Sequence, residues 1–217
     1  MNKQKINTRL IAEFILLCLV LPGIIIFYKL APFMFAFLWS AAGYCALVYK
    51  RHYFTTWRDL WHLEAITWPN MKPVLIRFII AAIAMTVFLH FYAPDRMLYL
   101  ARYDQTLLVA LFCLYPILSA LPQEFIFCSF FFKRYETFFQ NKTAMIIASA
   151  VVFAFAHILF INPVAPTLSL IGGLIFASTF AKTQSLALVT IEHALYGNFL
   201  FMIGLGWYFY GGAVATG

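Results

Sequence analysis

A chain of 217 residues that is 64% hydrophobic and only 11% charged has too little polar surface to clothe a soluble globule of that size. Its net charge of +7 is accounted for by charge asymmetry across a bilayer and attraction to anionic lipid, so no nucleic-acid partner is required. The composition predicts an all-α, polytopic transmembrane helical bundle of about seven to eight membrane helices plus a short interfacial helix, forming a single integral membrane domain over residues 1–217.

Lipid cannot satisfy exposed backbone groups, so a spanning helix needs roughly 20 apolar residues to cross a hydrocarbon core about 30 Å thick. Such runs read Leu10 to Phe27, Pro32 to Tyr49, Val74 to Tyr92, Thr106 to Phe132, Ala144 to Ile161, Leu168 to Ala181, and Leu186 to Phe209. The first follows Lys3, Lys5 and Arg9 and ends without a small-x-small cleavage pattern, so it reads as an uncleaved helix that turns at Tyr28 to Pro32 into the second. The one sizeable polar stretch is Lys50 to Pro73. In it Trp57, Leu60, Trp61, Ala65 and Trp68 stand at i, i+3, i+4, i+8 and i+11, a stripe interrupted by Glu64. They predict a short helix in the cytoplasmic interface, anchored by its indoles and stopped by Pro69.

The fourth run would be ~40 Å long if straight. Pro116 and Pro122 predict a kink, with Pro122 opening a second half-helix whose free N–H groups lie near Gln123 and Glu124. Cys18, Cys45, Cys113 and Cys128 all fall in apolar runs with no CxxC spacing, and read as small buried residues. With the N-terminus cytoplasmic, twelve of the fifteen lysines and arginines, all but Lys29, Arg96 and Arg102, fall on the cytoplasmic side.

Function is sought in ionisable groups within the spans, since each is costly without a partner or a task. Glu13, Arg77 and His90 stand near span ends, within reach of the headgroups. Glu124, His157, Glu192 and His193 lie deeper. Counted from the nearest cytoplasmic lysine at about 1.5 Å per residue, Glu124 lies ~14 Å in, His157 ~22 Å and His193 ~16 Å. Three helices thus offer a carboxylate and two imidazoles to one slab about 8 Å thick. Glu192 is turned about 100° from His193 and reads as a supporting or surface-facing group. A lone membrane histidine more often ties helices together than reacts. A carboxylate with two histidines is the set that water activation requires, a base for the proton and donors for the developing oxyanion.

Three motifs carry a resemblance. Pro122-Gln123-Glu124-Phe125-Ile126-Phe127-Cys128 resembles an EExxxR motif, Phe153-Ala154-Phe155-Ala156-His157 an FxxxH motif, and His193-Ala194-Leu195-Tyr196-Gly197-Asn198 an HxxxN motif. In that order they are similar to the CAAX protease and bacteriocin-processing family, also called CPBP or Abi, over a catalytic-like core of about residues 105–210. The resemblance implies an intramembrane endopeptidase of the bacterial plasma membrane, acting on membrane-associated peptides or proteins. Glu124 and His157 would activate water, and His193 with Asn198 would hold the oxyanion. The resemblance needs no cofactor. Two histidines and a carboxylate are also zinc ligands, but without HExxH a metal is the less favoured choice. The chain departs from the pattern in three places: Gln123 at the first glutamate, Cys128 at the arginine, and Asn198 five rather than four residues after His193, with Gly197 between. The alternative function is a catalytically degenerate member acting in bacteriocin self-immunity or regulation. A proton-coupled carrier is a third class, without a visible repeat of halves.

Overall fold

The computed structural model describes residues 8–209. Seven helices among them are long and apolar enough to cross a membrane: α1 (Thr8–Phe27), α2 (Ala31–His52), α3 (Trp68–Tyr92), α4 (Gln105–Arg134), α5 (Lys142–Phe160), α6 (Val164–Thr183) and α7 (Leu186–Ile203). Each overlaps one of the seven apolar runs, and no strand occurs among the described residues. Lys3 and Lys5, which contribute to the expected orientation, lie outside the described residues.

The polar stretch between α2 and α3 differs from expectation. A helix forms only over Trp57–Trp61, where the Thr56 hydroxyl accepts from the Asp59 amide at 3.1 Å. The Thr55 and Thr56 hydroxyls donate to the Asp59 carboxylate at 2.6 and 2.7 Å and hold that carboxyl below its usual range. Arg58 pairs with Glu64, and His62, at φ 44, ends the helix. Trp68 belongs instead to the first turn of α3, with Thr67 at the N-cap and Pro69 just inside. Proline lacks an N–H and its fixed φ suits a first helical turn, so Pro69 starts a helix here rather than stopping one. The segment is pinned to the α6–α7 turn. His62 Nδ1 donates to the Thr183 carbonyl at 2.8 Å, and the Ser185 hydroxyl donates to the Trp61 and His62 carbonyls at 3.1 and 2.9 Å.

Pro116 and Pro122 do not break α4. A π-helical stretch, Pro116–Ala120, carries the chain past Pro122, and a second, Phe125–Phe130, follows it. Widening the turn to i→i+5 relieves the clash between a proline ring and the preceding carbonyls. The same arrangement occurs in α1, where the π-helical Leu16–Val20 precedes Leu21-Pro22 as Pro116–Ala120 precedes Leu121-Pro122. Ala120 and Phe125 keep right-handed helical dihedrals. The half-helix start with free N–H groups expected around Glu124 is therefore not formed.

The inner helix is α7: 61% of its apolar window is buried, against 11% in α1 and in α4. It packs on α3, α4 and α6. The most extensive helix pair is α5 with α6. Their backbones approach so closely at Gly173 that a Cβ there would lie 2.9 Å from the Ala150 Cα, the small-residue packing common between membrane helices.

Two of the charges expected at the headgroups turn inward, while His90 stays exposed. Glu13 on α1 takes a two-pronged pair from Arg134 on α4, Nε at 2.7 Å and Nη2 at 2.6 Å, with the Tyr44 and Tyr135 hydroxyls donating at 3.2 and 3.3 Å. Removing either partner leaves the other largely buried, so Arg134→Ala is expected to cost about 3 kcal/mol. Thermal unfolding in detergent of Arg134→Ala, Glu13→Ala and the double variant checks this. A double variant as damaged as the sum of the singles would mean that the two residues act independently.

Candidate active site

A cavity of ≈ 820 Å³ opens between the helices. Its wall is mainly leucine, isoleucine and phenylalanine, and its polar members include Tyr115, Ser119, Gln123, His157 and His193.

Glu124 on α4 is buried, 1% exposed, and does not line that cavity. Its Oε1 accepts from His193 Nδ1 on α7 at 2.7 Å, and its Oε2 accepts from the Cys128 thiol at 3.1 Å. The carboxylate thus holds His193 from behind and is not in contact with His157. The Glu124–His157 pair expected for water activation is not formed, because the two side chains of the motif's glutamate positions diverge around the helix. Gln123 faces the cavity instead. Its amide donates to the Ser119 hydroxyl at 2.8 Å, and its Oε1 is buried without a partner. Cys128, at the position of the motif arginine, still gives Glu124 a donor one turn further along.

A carboxylate oxygen only accepts, so the proton of neutral His193 is assigned to Nδ1 and its Nε2 becomes the acceptor. Nε2 lies 2.9 Å from the Tyr115 hydroxyl of α4, and the imidazole stacks on Phe176 with centroids 4.6 Å apart. His157 is fixed in the same sense: its Nδ1 donates to the Phe153 carbonyl at 2.7 Å, which leaves Nε2 as the basic nitrogen. The Phe153 ring bridges the two histidines, 4.6 Å from His157 and 5.7 Å from His193 between centroids. His157, His193 and Gln123 therefore share one cavity, with Glu124 behind His193.

Asn198 is not at the site. α7 stays helical through Gly197, which leaves Asn198 on another face, and its amide donates to the Phe112 carbonyl at 3.3 Å. Asn198 therefore does not join His193 in the expected oxyanion pair. Gly197 itself lines the cavity, and the volume a side chain would need there is filled by Tyr115.

Two features escaped the sequence reading. Tyr115 is one of twelve tyrosines, and its only signal was the glycine four residues after His193, which leaves room for a neighbour. The other is Arg77 on α3, which donates through Nη2 to Glu192 Oε1 and to the Thr179 hydroxyl, both at 2.8 Å. Glu192, 0% exposed, is neither peripheral nor lipid-facing. An arginine and a glutamate on two different spans, each costly alone, were the available signal. Among the described residues no three His, Cys, Asp or Glu side chains are grouped as a metal shell.

The fold and site together define an all-α membrane protein whose inner helix carries a histidine clamped by a buried carboxylate at the wall of an apolar cavity. Residues 105–200, from the start of α4 almost to the end of α7, match the family model described as Rce1-like, type II CAAX prenyl endopeptidase Rce1-like, which is a model of the CPBP family. The match carries a CAAX-protease-like role in general terms. No curated protein and no solved structure matches the chain.

Proposed function

We propose that the chain is an intramembrane endopeptidase that cleaves membrane-associated peptides or proteins at the cavity shared by His157 and His193. The observation that carries this reading is the Glu124–His193 contact at 2.7 Å, a buried carboxylate fixing the tautomer and orientation of an imidazole at the cavity wall. In this reading His157 Nε2 takes a proton from water as the water oxygen attacks the scissile carbonyl carbon, and the carbonyl π pair moves onto oxygen. His193, which has taken up a proton from solvent before the attack, supports that oxyanion with its positive charge, itself held by Glu124. When the tetrahedral centre collapses, the C–N bond breaks and the leaving amine takes the proton from His157, leaving a carboxylic acid and an amine. The steps need no metal and no cofactor.

The family description favours prenylated CAAX termini as the first substrate to try, and the apolar wall suits a lipid-modified or hydrophobic peptide. The charge asymmetry of the sequence supports a cytoplasmic N-terminus, and the family resemblance a bacterial plasma membrane. A second reading, binding without cleavage in self-immunity or regulation, is favoured by one observation: Gln123, an amide that cannot act as a base, faces the cavity at the first glutamate position.

The purified chain in liposomes, given a fluorogenic peptide with a farnesylated CAAX terminus and its unprenylated counterpart, separates the two. Cleavage by the parent that falls by about 10²-fold or more in His157→Ala supports the protease. Saturable binding with no products in parent and variant alike supports the second reading and excludes the first.

A further inference from the structure

The HxxxN resemblance expects a polar side chain four residues after His193, on the same face of α7. Gly197 stands there, and Asn198, one position on, is engaged with the Phe112 carbonyl. The space is nevertheless occupied by a polar group from another helix. A Cβ built on Gly197 would lie 2.1 Å from Tyr115 Cε1 and 2.4 Å from its Cζ and hydroxyl oxygen. That hydroxyl lies 2.9 Å from His193 Nε2, and Tyr115, Gly197 and His193 all line the cavity. Tyr115 is the last residue before the π-helical turn of α4 that begins at Pro116.

We propose that Tyr115 supplies the oxyanion hydrogen-bond donor that the missing motif asparagine would have given, with Gly197 kept free of a side chain to admit the phenol. This rests on the hydrolase reading above. With His193 neutral, the phenol donates to Nε2. When His193 has taken up a proton from solvent, before the water attacks, Nε2–H donates to the phenol oxygen, and the phenol proton is free to turn to the substrate oxyanion. A phenol and a carboxamide are both N–H or O–H donors able to serve an oxyanion, so the exchange preserves the chemistry while moving its source from α7 to α4.

The test measures kcat and KM for the farnesylated CAAX peptide and the Kd of a phosphinic peptide that mimics the tetrahedral intermediate. Tyr115→Phe keeps the ring and removes the donor. It is expected to lower kcat and weaken the phosphinic peptide by about 10²-fold each, with KM near the parent value. Placing asparagine at the vacated position in Tyr115→Ala/Gly197→Asn is expected to recover activity relative to Tyr115→Ala, which a packing role for the tyrosine would not produce. A parent that cleaves while Tyr115→Phe keeps the parent kcat and phosphinic affinity overturns the role of Tyr115 and leaves the protease reading standing. A parent that neither cleaves the peptide nor prefers the phosphinic mimic over the substrate overturns both.

Discussion

His193→Ala is expected to lower peptide cleavage by about 10³-fold or more, and Glu124→Gln by a comparable factor. The two substitutions remove different halves of one device. Alanine removes the imidazole from the cavity wall and leaves the Glu124 carboxylate with Cys128 as its donor. Glutamine keeps the size of residue 124 but removes the charge that supports an imidazolium, and its amide can present the wrong partner to Nδ1. Because the residues act as a unit, His193→Ala/Glu124→Gln is expected to cost little more than His193→Ala alone. Cleavage of the farnesylated peptide by all three variants, with thermal unfolding in detergent as the control for folding, makes the comparison. A Glu124→Gln enzyme within tenfold of the parent would mean that the carboxylate is structural and that His193 needs no support from it.

Arg77→Met is expected to produce the largest loss of stability on α3. Glu192 is fully buried, and Arg77 donates to its Oε1 at 2.8 Å. Removing the guanidinium takes the counter-charge from a carboxylate among packed helices and leaves it with neutral donors such as the Thr179 hydroxyl. The side chain of Arg77 is 38% exposed, so the expected cost is about 2–3 kcal/mol, below the range for a wholly buried pair. Arg77→Met/Glu192→Gln removes both charges and is expected to recover most of the loss, since replacing both members of a buried pair is often close to neutral. Melting temperatures of the parent, both single variants and the double variant test this. Equal damage in Arg77→Met and the double variant would show that packing of the arginine stem, not charge, is what α7 requires.

The seven spans were legible because bilayer thickness imposes a length that few other constraints share, and the apolar runs match the helices to within a few residues at most ends. Trp68 falls on the wrong helix when Pro69, the residue after it, is read as a stop, because a proline marks a start as readily. The convergence of His157 and His193 was also legible, since counting residues from a membrane surface gives depth. Direction around a helix is harder to read. Which of Gln123 and Glu124 meets the cavity depends on the rotation of α4, and two π-helical stretches shift that rotation away from the regular 100° per residue. Asn198 is misplaced and Tyr115 overlooked for a related reason: a motif records spacing within one helix and is silent about a neighbour that fills a gap.

The pairing of Arg77 with Glu192 bears on how the chain is made. An ionic side chain in the middle of a span opposes its release from the translocon by about 3 kcal/mol. α3 is synthesised long before α7, so its arginine already waits in the lipid when the glutamate emerges. The last span can then leave the insertion machinery against a ready counter-charge, and biogenesis of the C-terminal half becomes dependent on the N-terminal half.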